Sequence, residues 1–60
     1  MNEIAKWRKA AGLTQKEMSD IFEIPKRTIE NWEQGSREPA PWAEKLVVAE
    51  LKRMVAAKDE

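Results

Sequence analysis

Apolar residues in the first half of the chain recur at three- and four-residue spacing in short blocks, each ended by a glycine or a proline. Ile4, Trp7 and Ala11 form the first block, which Asn2 can cap at its start and Gly12 can stop at its end. Met18, Ile21 and Phe22 form the second, placed together on one helical face. Before them stands a T-x-x-E capping box: the Thr14 hydroxyl accepts from the Glu17 amide, and the Glu17 carboxylate accepts from the Thr14 amide. A helix therefore begins at Thr14, with Leu13 stapled onto Met18. Pro25 lacks an amide and restricts Ile24, so that helix cannot run on through it. A third periodicity, Ile29 and Trp32, stops at Gly35, the residue type best able to turn left-handed after a helix end.

The last block is the longest. Trp42, Ala43, Leu46, Val47, Leu51, Met54 and Val55 repeat at helical spacing, and Pro39 and Pro41 ahead of them are tolerated where amides would lack partners anyway. The pattern predicts an all-α fold, a compact four-helix domain over residues 1–60, with a central helix-turn-helix at about 14–34 and a long C-terminal helix at about 41–57.

What the second helix of the pair leaves outside is chemically specific. With Ile29 and Trp32 turned inward, Lys26, Arg27, Glu30 and Asn31 fall mainly on the other side, near the helix start. These are the groups that read base edges in a major groove: Arg or Lys to guanine, Asn to adenine, Glu to cytosine. A solvated face of an ordinary small helical protein has the same general composition, since helix-turn-helix geometry also occurs as plain packing.

The run LTQKEMSDIFEIPKRTIENWEQGSREP resembles the helix-turn-helix of the lambda-repressor and Cro type, with its Leu-Thr-Gln opening and its Ile-x-x-Trp-Glu-x-Gly-x-x-x-Pro exit. The resemblance covers Trp7 through Pro39. It implies that the second helix of the pair lies in the major groove of double-stranded DNA, with Lys26, Arg27 and Asn31 as base readers; Glu30, on the same outward face, is added to the base-reading set. It also makes Gln15 a phosphate clamp, with Thr14 and Lys16 beside it and Arg37 in the loop beyond Gly35. An Arg at the place of Arg8 in that family pairs with the Glu of the Trp-Glu motif, so Arg8 and Glu33 are expected as a structural ion pair. Two positions depart from the family's pattern: Glu23 stands where the turn usually has Gly, and Pro25 stands where the next helix usually opens on Ser or Thr. A left-handed Glu23 would cost about 1 kcal/mol.

Composition narrows the alternatives. A 60-residue chain buries only about 60% of the surface it exposes when unfolded, which leaves little room for an enclosed active site. It has no Cys and no His, so thiol chemistry and the common zinc ligands are missing; no enzyme activity, metal or cofactor is expected. No apolar run approaches the roughly 20 residues of a membrane span, and MNEIAKWRK carries charge where a signal peptide would be apolar; a cytoplasmic protein is expected.

Charge cuts the other way. Eleven basic residues are balanced by eleven acidic ones, and the segment up to Arg37 has seven basic against six acidic. A nucleic-acid binder ordinarily presents a basic footprint. The DNA side can still be basic if Lys16, Lys26, Arg27 and Arg37 gather there while Glu3, Asp20, Glu44, Glu50, Asp59 and Glu60 point away. Few neutralised phosphates per subunit would then make two copies on one site necessary. The long last helix offers a place for pairing: its far end, at Leu51, Met54 and Val55, exceeds what so small a core covers, unless it folds back on Ile4 and Trp7. The expected function is a small, repressor-like transcriptional regulator of bacterial or phage type, a homodimer on palindromic double-stranded DNA. The competing reading is a helical protein-interaction module, antitoxin- or adaptor-like, that uses the same scaffold for protein contacts.

Overall fold

A computed structural model describes residues 2–58, with helices α1 (Ile4–Ala10), α2 (Gln15–Phe22), α3 (Lys26–Gln34) and α4 (Pro41–Lys58) and no strand among the described residues. Asp59 and Glu60, expected to point away from the DNA side, lie outside these residues.

Each helix end follows from local chemistry. The Asn2 carboxamide oxygen accepts from the Ile4 amide at 3.0 Å, and its nitrogen donates to the Trp32 carbonyl at 3.1 Å. Asn2 thus lies one residue ahead of the cap position, which Glu3 holds without a side-chain bond, yet it braces the start of α1 and ties it to the end of α3. Gly12 follows α1 with a φ of 76°, and α2 begins with the complete capping box at Thr14 and Glu17. At its other end Glu23 adopts the left-handed conformation, with φ 55° and ψ 39°, and its amide donates to the Ser19 carbonyl. The Ser19 hydroxyl donates to the Ile24 carbonyl at 2.6 Å, closing the turn across the strained residue. Pro25 precedes α3 and supplies no side-chain cap, while Gly35 ends α3 at a φ of 84°. Because an open left-handed site suits glycine, Glu23→Gly is expected to raise stability by up to about 1 kcal/mol. Chemical denaturation of the two proteins checks this; a lower midpoint for the glycine variant would mean the Glu23 side chain contributes more than its backbone costs.

Four side chains are fully buried, one from each helix: Ile4, Met18, Ile29 and Leu51. Val47 joins them, and Trp7, Ala11, Leu13, Phe22, Ile24, Trp32, Val48 and Met54 pack around the cluster half-buried. Helix α1 is the hinge of the arrangement, lying along α4 on one side and touching α3 on the other, while α2 packs on α3. Pro39 is buried in the α3–α4 connector, a role its sequence position did not announce.

Three expectations are corrected. Ile21 is 54% exposed, because α2 turns its Met18–Phe22 line to the core and leaves Ile21 on the flank. Leu51, expected to seek a second subunit, is wholly buried; α4 lays Val47, Leu51 and Met54 against α1, so the far end of the helix folds back on its own domain. Val55 is only half-buried, and Met54 packs on the core. Trp42 and Leu46, grouped with the buried face by periodicity, are instead 69% and 63% exposed. Nine residues at about 100° each place Trp42 diametrically opposite Leu51. The exposed apolar surface of α4 is therefore at its start and on its outer side.

Candidate nucleic-acid interface

The outward face of α3 carries Lys26 and Arg27 exposed in its first turn, with Glu30 and Asn31 half-buried one turn on. Ile29 beneath them has no exposure, so the rotation of α3 is set by the core and the polar residues follow from it. Lys26 reaches Glu30 at 3.8 Å, an exposed i,i+4 pair that partly offsets the lysine's charge. Among the described residues Arg27 has no ion-pair partner. The Asn31 carbonyl accepts from the amides of Gly35 and Arg37, at 3.1 and 3.3 Å, which folds the loop back over the end of α3 and fixes where Arg37 emerges.

Next to this face lies the start of α2. Thr14 is committed as a cap through its oxygen, which leaves its hydroxyl hydrogen available to donate. Gln15 is half-buried and donates to Glu33 at 3.0 Å. A carboxamide nitrogen has two hydrogens, so one remains. Lys16 is exposed but lies 3.1 Å from Asp20, which therefore does not point away from this side. Of the four cations expected here, Lys16 and Lys26 are each shadowed by a carboxylate, and Arg27 and Arg37 are left as unpaired charge among the described residues.

Behind the face is the one near-buried ion pair among the described residues. Arg8 Nε and Nη2 donate to the two oxygens of Glu33 at 2.7 and 3.0 Å, and Nη1 donates to the Leu13 carbonyl at 2.7 Å. The side chains are 11% and 10% exposed. Burial alone would push the Glu33 carboxyl up; the hydrogen bonds from Arg8 and Gln15 and the charges of Arg8 and Lys9 outweigh it and hold the group below the usual carboxylate range. The cluster joins α1, the α1–α2 connector, α2 and α3 at one point. Sequence reasoning gave the Arg8–Glu33 pair but not the Gln15 bond to it; the available signal was that a carboxylate has more acceptor sites than one guanidinium fills.

The model of the helix-turn-helix family matches residues 4–41, well over half of the chain, and spans α1, α2, α3 and the connector to α4. The chain belongs to that family, in its lambda-repressor and Cro-like form. It is accordingly a DNA-binding protein of the transcription-regulator class. No individual curated protein and no solved structure matches it. No helix among the described residues is long and apolar enough to cross a membrane.

Proposed function

We propose that the protein reads a specific sequence in double-stranded DNA with α3 in the major groove, acting as a repressor-like dimer on a palindromic site. The observation that carries this is the exposed first turn of α3, where Arg27, without an ion-pair partner among the described residues, stands beside Lys26 while Ile29 locks the helix from below. Arg27 suits the O6 and N7 acceptors of guanine, and Asn31 the N6 and N7 edge of adenine. Glu30 accepts from a cytosine amino group when Lys26 releases it to a neighbouring phosphate or guanine. Gln15 uses its remaining amide hydrogen on a phosphate, with Thr14, Lys16 and Arg37 around it. Half-sites about 34–36 Å apart, one helical turn, then match the two-fold symmetry of the protein.

Net neutrality has a consequence under this reading. Each neutralised phosphate contributes a slope of about −0.9 to log K against log salt, so a subunit with only two or three cations at the backbone binds random duplex weakly. Specificity must come from the base contacts. Arg27→Ala is expected to cost about 1–3 kcal/mol on the preferred site while barely changing random-duplex binding, whereas Lys16→Ala weakens both alike. Sequence selection from a random duplex pool followed by titration at two salt concentrations checks this. An equal loss on both duplexes for Arg27→Ala would make Arg27 a phosphate contact and remove it from the reading set.

A further inference from the structure

We propose that the first two turns of α4 form a parallel, self-complementary contact with a second copy of this chain, with Trp42, Leu46 and Ala49 as its seam. This rests on the dimeric reading above and supplies its interface. Trp42 and Leu46 are two of the three large apolar residues left exposed among the described residues, and Ala49 lies exposed on the same side of the helix, away from Val47 and Leu51. The four-then-three spacing of these positions is that of a two-helix seam, in which a small residue lets the helix axes come close.

The flanking charges choose the occupant and its direction. Lys45 borders the seam on one side and Glu50 on the other. In a parallel pair, residues five apart on opposite flanks meet across the interface, so Lys45 of each copy meets Glu50 of the other, twice by symmetry, and shares that carboxylate with Arg53 of the glutamate's own helix. An antiparallel pair would set lysine against lysine and glutamate against glutamate. Lys52, the next residue on the Lys45 flank, lies 5.1 Å from the centre of the Trp7 ring and is drawn back toward α1. Arg53, next along the seam, is a charge held by Glu50 of its own helix, so the contact ends after Ala49 and the helices diverge. The start of α4 follows α3 by a six-residue connector, which puts the contact at the end of α4 tethered closest to the base-reading helix.

The size of the face sets its strength. Trp42 brings on the order of 150 Å² and the whole seam far less than the roughly 800 Å² per partner of a standard interface, so free protein should pair only at high concentration and be completed on DNA.

The test is charge reversal read by sedimentation equilibrium of free protein up to millimolar concentration, with helical circular dichroism as the folding control. Lys45→Glu alone and Glu50→Lys alone should each weaken self-association about tenfold, since two flank contacts turn repulsive. Mixing the two variants should restore it as a heterodimer, and Trp42→Ala should weaken it roughly 30-fold or more. A wild-type protein that stays monomeric, single reversals without effect, or a mixture that does not pair would overturn the proposal. An antiparallel contact would exchange lysine against lysine for glutamate against glutamate in Lys45→Glu, so it would show as single reversals without effect. Binding to the selected duplex is measured separately. Pairing without duplex binding would refute the DNA reading alone, and duplex binding by a chain that never pairs would refute the interface alone.

Discussion

Leu51→Ala is expected to remove most of the stability of this protein, whereas Leu46→Ala, five residues earlier on the same helix, is expected to leave it nearly unchanged. Leu51 has no exposed surface and contributes the α4 side chain to the four-residue centre of the core. Truncating a buried leucine costs about 2–5 kcal/mol, through lost transfer free energy and the cavity left behind. A domain of this size has roughly 3–9 kcal/mol in total. Leu46 is 63% exposed, and surface changes stay within about 0.5 kcal/mol. The comparison is made by urea denaturation at concentrations where the protein is monomeric, following helical circular dichroism. Similar midpoints for the two variants would mean that α4 does not lie on α1 with the rotation described.

That contrast shows what a one-dimensional pattern can and cannot carry. The ends of α1, α2 and α3 were legible to within a residue because each is decided locally: the Asn2 bond to the Ile4 amide, one residue ahead of the Glu3 cap position, the Thr14–Glu17 box, Pro25, and Gly35 with its positive φ. The rotation of α3 was legible too, since only Ile29 and Trp32 offered an apolar face. Helix α4 was different. It has apolar residues on all sides, so periodicity gave its length within a residue but could not say which stripe meets α1. The choice belongs to α1, on which α4 packs, with Ile4, Val47 and Leu51 in one buried cluster and Trp7 and Met54 packed against it. Ile21 failed for the same reason on a smaller scale: Met18 and Phe22 already filled the space beside α3. At the interface, residue types announced candidate contacts, but not which cations a neighbouring carboxylate would shadow. Asp20 on Lys16 and Glu30 on Lys26 are each one helical turn away, pairs visible in the spacing yet decided by rotamers.

The other large effect is expected at Glu33. Glu33→Ala leaves the Arg8 guanidinium, 11% exposed, without its counter-charge, and breaking such a pair from one side costs about 3 kcal/mol or more. The pH dependence has a definite sign. Because the native Glu33 carboxyl titrates below its unfolded value, its contribution is complete above the ordinary glutamate value of about 4.3 and is lost as pH falls through the lowered native value. Wild-type stability should therefore drop steeply in that acid range, and the drop should be shallower in Glu33→Ala. Replacing both partners with apolar residues of similar size, Arg8→Leu with Glu33→Met, should recover much of the stability, since neither charge is then left alone. It should not recover DNA binding. Gln15 loses the acceptor that holds its carboxamide at 3.0 Å, so its phosphate contact loosens and affinity falls on specific and random duplexes alike. Denaturation across pH 3–7 and duplex titration of the double variant provide both readings. A double variant that is stable and binds all duplexes as tightly as the wild type would show that the cluster holds only the fold, and that Gln15 needs no brace to meet DNA.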